Sequence, residues 1–137
     1  MKNDFRFILV DDDPFALNVG EQVIRHYRKC AEIRKFNLAG DALKFVDIEN
    51  RLTKDKERTV LLTDLHMPSS DGFELLDQIE CRFNVIKDCL HIFVVSASAC
   101  PSEIKRVLSY NCVIGYYLKP LSIEKMGQIL QCVEYPL

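Results

Sequence analysis

Leu61-Leu62-Thr63-Asp64-Leu65-His66-Met67-Pro68 decides how this chain is read. A short apolar run ends on an acid, and a turn follows at once. That pattern sets one carboxylate at the C-terminal tip of a parallel strand, the edge of an open α/β sheet where ligands bind. Two more acids, Asp11 and Asp12, end the apolar run Phe7-Ile8-Leu9-Val10, and Lys119 ends Tyr116-Tyr117-Leu118, with Pro120 after it. Three carboxylates and one ammonium at strand tips point to a divalent cation and a phosphoryl group.

Outward from this stretch, strand-like runs alternate with helix-length segments. Strands are expected at about 5–10, 32–38, 59–64, 91–96 and 113–118, and helices at about 14–29, 40–50, 71–84, 101–111 and 122–134. Such alternation predicts an α/β fold with a parallel sheet covered on both faces, and right-handed crossovers make it doubly wound. Ile92-Phe93-Val94-Val95 is continuously apolar, as a central strand requires, whereas Glu32-Ile33-Arg34-Lys35-Phe36-Asn37 reads as an edge. Asp13 before Pro14 predicts an N-cap followed by proline at the first helical position. Helical spacing turns Ala16, Val19, Val23 and Tyr27 toward the sheet, and Ile123, Met126, Leu130 and Val133 in the last helix. It leaves Ile129, and Ile104 relative to Val107 and Leu108, off the inner stripes, as isolated exposed apolar side chains or as contacts for a partner or a second copy.

At 137 residues and 48% hydrophobic content, the chain suits one domain with one well-buried core. The net charge is −2 and basic residues form no block, which argues against direct nucleic-acid binding. The mixed run Thr53-Lys54-Asp55-Lys56-Glu57-Arg58 reads as a solvated loop. No apolar run is long enough to span a membrane, and the N-terminus lacks a signal-peptide core, so a cytoplasmic location is expected. Six cysteines, at 30, 81, 89, 100, 112 and 132, form no C-x-x-C pair and are expected to be reduced and mostly buried. His26 and His91 carry no context for chemistry and read as structural.

The acids carry the chemistry. Clustered carboxylates resist joint ionisation without a cation, and Mg²⁺ suits their hard oxygens. Ser96, at the tip of Val94-Val95-Ser96, can donate to a phosphoryl oxygen or simply form a turn. Two other classes fit parts of the pattern. Asp11-Asp12-Asp13 satisfies the D-x-D of a haloacid dehalogenase-type phosphohydrolase, but Phe15 is unusual there and Asp64 is left without its expected role. A flavin-binding electron carrier would place phosphate at the first strand tip, where Asp11, Asp12 and Asp13 repel it.

Taken together, Ile8-Leu9-Val10-Asp11-Asp12-Asp13, Asp64-Leu65-His66-Met67-Pro68 with Asp71-Gly72, Val95-Ser96-Ala97 and Tyr116-Tyr117-Leu118-Lys119-Pro120 resemble the receiver domain of two-component response regulators. The resemblance runs from about residue 5 to 134. It implies a flavodoxin-like sheet of order 2-1-3-4-5 with five helices, as a single receiver domain over 1–137 with no output domain. It further implies that Asp64 accepts a phosphoryl group from a histidine kinase or histidine phosphotransfer protein. Asp12, Asp64 and the backbone carbonyl of His66 would bind Mg²⁺, which Mn²⁺ can replace, with Asp11 acting through water. Ser96 and Lys119 would hold phosphoryl oxygens, Ser96 and Tyr116 would form the switch, and the Lys119–Pro120 peptide would be cis. Output would pass through the fourth helix, fifth strand and fifth helix of a monomer or weak dimer. The His66 side chain would either meet the water that attacks the acyl phosphate or stay a surface group.

Overall fold

The computed structural model of the protein describes residues 5–52, 58–68, 70–82 and 90–134. In chain order the elements are β1 (Arg6–Val10), α1 (Pro14–Tyr27), β2 (Glu32–Phe36), α2 (Ala39–Leu52), β3 (Thr59–Thr63), β4 (His66–Met67), β5 (Ser70–Asp71), α3 (Gly72–Cys81), β6 (Leu90–Ser96), α4 (Pro101–Leu108), β7 (Val113–Leu118) and α5 (Ile123–Glu134). The main sheet is parallel, in the order β2-β1-β3-β6-β7. With the short antiparallel pair β4 and β5 set aside, this is the expected order 2-1-3-4-5. The expected helix at 71–84 is observed as Gly72–Cys81, and residues 83 and 84 lie outside the described residues. So do 53–57 of the charged run, and Cys89.

Alternation along the strands feeds two cores. Ile8, Val10, Leu61, Ile92 and Val94 pack with α2, α3 and Val107 of α4 on one face. Phe7, Leu9, Val60, Leu62, Phe93 and Val95 pack with α1 and α5 on the other. The three inner strands turn apolar residues to both faces because both faces are covered. β2 is the predicted edge, with Glu32, Arg34 and Lys35 exposed. Asp13 caps α1 as expected, its carboxylate accepting from the Phe15 amide at 3.0 Å.

Helix rotation departs from the sequence reading in three places. In α5 the buried stripe is Met126, Ile129, Leu130 and Val133; Ile129 is fully buried, and Ile123 is the residue left exposed. In α1 the buried residues are Gly20, Val23 and Ile24, whereas Tyr27 lies at the rim and donates its hydroxyl to the Ile123 carbonyl at 2.7 Å. In α4 only Val107 is buried, and Leu108 faces outward. A stripe narrower than half the helix can be drawn through more than one set of apolar residues, and packing against the sheet selects among them. The cysteines also differ from expectation. Cys112 is buried, with its thiol pushed up to about 12 by burial and by Glu80, but Cys30, Cys81, Cys100 and Cys132 are exposed free thiols. They sit at element ends and outer helix faces, where no core reaches them.

Candidate functional site

Strand register assembles the site. Val10 of β1 lies beside Thr63 of β3, Thr63 beside Val94 of β6, and Ser96 of β6 beside Leu118 of β7. The ladder continues one residue further: the Asp11 amide donates to Phe36, the Asp64 amide to Val10 and the Lys119 amide to Ser96. Asp11 and Asp64 therefore leave β1 and β3 at one level at the C-terminal edge of the sheet, and Lys119 leaves β7 two residues further on. Asp12 follows, half-buried, in the turn to α1.

Carboxylate oxygens of Asp11, Asp12 and Asp64 lie within 4.8 Å of one another. Lys119 Nζ bridges two of these acids, at 2.7 Å from Asp11 Oδ2 and 3.0 Å from Asp64 Oδ2. Asp64 Oδ1 accepts the Leu65 amide at 2.7 Å, and Asp11 Oδ1 accepts the Asp13 amide at 3.0 Å. Burial raises the Asp11 pKa, a push that the Lys119 ammonium and the Asp13 amide oppose but do not cancel. Lys119 is raised too: burial works against its charge, but two carboxylate partners outweigh it. The two directions agree physically, since an ammonium shared with Asp64 does not fully offset the burial of Asp11. Hard oxygens crowded this closely, one of them resisting ionisation, fit a small divalent cation.

Gly72 sits against this turn. A Cβ there would lie 2.3 Å from the Asp64 carbonyl oxygen and 2.7 Å from the Leu65 Cα, so only glycine lets α3 start under the acid. The Asp-Gly turn signal at Asp71-Gly72 is its trace in the sequence.

Ser96 is buried, and its Oγ accepts the Ser98 amide at 3.2 Å. Tyr116 is half-buried against the α2–α3–α4 core, and its hydroxyl donates to the Ser98 carbonyl at 2.6 Å. The Lys119–Pro120 peptide is cis, as expected. The His66 side chain is exposed and pairs with Glu103 at 3.0 Å. Glu103 Oε1 also accepts the Ser98 hydroxyl at 2.5 Å. These bonds, Ser98 first, hold the Glu103 pKa below its ordinary value. Sequence reasoning missed Glu103, because it and His66 lie 37 residues apart in the chain. His26 is exposed and stacks edge-on to Tyr27, while His91 is half-buried in β6, and neither approaches the acids. Beside the acids a cleft of about 140 Å³ opens between α1 and the Lys119–Pro120 turn, with Phe15 at its mouth, 74% exposed.

The family model for the response regulator receiver domain matches residues 7–131. The chain belongs to this family. Curated relatives are response regulators. A probable C4-dicarboxylate response regulator, DctR, from Priestia megaterium is 30% identical over 95% of this chain and 52% of that protein. The two-component response regulator ARR2 of Arabidopsis thaliana is 30% identical over 95% of this chain but only 18% of its own length. The receiver thus spans about half, or less, of these relatives. Among solved structures, a response regulator receiver protein from Dyadobacter fermentans superposes with a TM-score of 0.77 at 27% identity, covering 93% of this chain and 95% of its own. A two component response regulator from Cytophaga hutchinsonii shares the fold with a TM-score of 0.83 at 21% identity, covering 96% and 97%. The receiver match leaves the dehalogenase reading without support. Asp13, which would be that enzyme's second acid, is exposed and occupied as a helix cap. Receivers are signalling domains of two-component systems, served in general by histidine kinases or phosphotransfer proteins. Among the described residues no helix is long and apolar enough to cross a membrane.

Proposed function

We propose that this receiver takes a phosphoryl group from a phosphohistidine donor onto Asp64 and uses it to switch protein–protein contacts or to pass it on in a phosphorelay. The observation that carries this reading is the Lys119 ammonium held between Asp11 and Asp64, with Asp12 alongside. A carboxylate oxygen of Asp64 forms the new P–O bond. The donor's P–N bond breaks, and its electron pair returns to the imidazole. Asp12, Asp64 and the His66 carbonyl would hold Mg²⁺ or Mn²⁺ directly, and Asp11 through water. The bound cation supplies positive charge against the phosphoryl oxygens as charge spreads over them.

The protein's own groups do the rest. Lys119 exchanges its hold on the Asp64 carboxylate for a phosphoryl oxygen while keeping Asp11. Ser96 Oγ gives up the Ser98 amide to donate to another phosphoryl oxygen, and Tyr116 follows the loop inward. A donor reaching Asp64 must cover Phe15, whose exposed ring suits a protein donor. Leu108, Ile114, Leu118 and Ile123 are exposed along α4, β7 and the start of α5, and support this face as the output surface.

A small phosphodonor with Mg²⁺ is expected to add one acid-stable, base-labile phosphoryl group, and Asp64→Asn to abolish it. Mass spectrometry of the intact protein reads both. Undiminished labelling of the variant removes Asp64 from its role.

A further inference from the structure

Lys125 stands in the first turn of α5, where the positive end of the helix dipole disfavours a cation. Its side chain is compensated by folding back onto the preceding loop. Lys125 Nζ donates to the Leu118 carbonyl at 2.6 Å and to the Pro120 carbonyl at 3.1 Å. These two carbonyls flank Lys119 in the chain. From the other side, the Lys119 amide donates to the Ser96 carbonyl at 2.9 Å. The backbone of Lys119 is therefore gripped between β6 and the Lys125 ammonium. Bonds from a charged donor are the stronger kind, and a lysine has enough N–H groups for both carbonyls.

We propose that Lys125 is a positioning residue for phosphoryl transfer: by clamping the Leu118 and Pro120 carbonyls it fixes the chain that presents the Lys119 ammonium to Asp11 and Asp64. The proposal rests on the phosphoacceptor reading above. Lys125 acts through Lys119, and its partners are carbonyls, not the acids. Loss of the clamp should therefore slow the chemical step and leave cation binding alone.

The test compares the parent chain with Lys125→Met and Lys125→Arg, using acetyl phosphate as donor at saturating Mg²⁺. Lys125→Met is expected to lower the rate at saturating donor by about tenfold, since small misplacements of a charged group cost this much or more. Mg²⁺ affinity, the donor concentration for half-maximal rate and the melting temperature should stay near the parent's values. Lys125→Arg, whose guanidinium can also donate to two carbonyls, should restore most of the rate. In unphosphorylated protein, the ¹⁵N signal of the Lys119 ammonium should move in Lys125→Met. A Lys125→Met protein with the parent's rate and the parent's Lys119 signal overturns the clamp. A parent chain that takes no label on Asp64 overturns the phosphoacceptor reading instead, and the Lys119 signal still decides whether the clamp exists.

Discussion

Asp11 shows how one residue ties stability to function. Its carboxyl is buried beside Asp64 and must share Lys119, so its pKa in the fold lies above the ordinary 3.8. The sign follows by linkage. The folded state holds the proton more tightly than the unfolded chain, so this group's contribution to stability falls as pH rises through the window above 3.8. At neutral pH the buried ionised acid is a cost that Lys119 and the Asp13 amide offset only in part. Asp11→Asn is therefore expected to raise the melting temperature of the metal-free protein at pH 7 by a few degrees. The gap should close as the pH drops below 3.8, where the parent's carboxyl is protonated in both states. Millimolar Mg²⁺ should also narrow it, by stabilising the parent more than the variant. Calorimetric melts with and without Mg²⁺ check this; a variant less stable than the parent at pH 7 would mean that the Lys119 pair outweighs burial.

At the scale of the element, α5 carries the clearest lesson. Met126, Ile129, Leu130 and Val133 follow the spacing i, i+3, i+4, i+7 and seal the face shared with α1. Ile123, also apolar, stands in the first turn and is 46% exposed. Hydrophobicity alone ranks Ile123 and Ile129 as equals, and burial separates them. Ile129→Ala should destabilise the protein by about 2–5 kcal/mol, the usual cost of emptying a core site. Ile123→Ala should change stability by no more than about 0.5 kcal/mol, as surface substitutions do. Urea unfolding of the two variants separates the cases. Equal losses would move Ile129 out of the core.

Across the whole molecule, the loop after β6 joins the acceptor edge to the exposed face. Ser98 is its knot: its amide binds Ser96 Oγ, its carbonyl accepts Tyr116 and its hydroxyl donates to Glu103, which also holds His66. A phosphoryl group that draws in Ser96 must loosen this knot and free Tyr116, biasing two existing states toward one. Phosphorylation is therefore expected to shift amide NMR signals over 96–111 and 113–118, beyond the acceptor. Ser96→Ala should still label slowly and lose the distant shifts, because the hydroxyl that couples the two regions is gone. Matching distant shifts in parent and variant would take Ser96 out of the switch.

What the sequence determined by itself was local. Apolar runs ending in Asp11, Asp64, Ser96 and Lys119 specify strands and the residues at their tips, since neighbours along the chain decide both. Asp13-Pro14 likewise specifies where α1 begins, and the charged β2 shows itself as an edge. The tertiary structure decided what depends on distant partners. Register among β1, β3 and β6 brings Asp11 and Asp64 level, and one ammonium reaches both. Packing against the sheet chose Ile129 over Ile123 and left four cysteines exposed. Glu103 and Lys125 owe their roles to helix starts that the fold brings back to the site. Neither residue's type or spacing signals its partner, because a surface side chain finds its hydrogen bonds only after the backbone around it is in place.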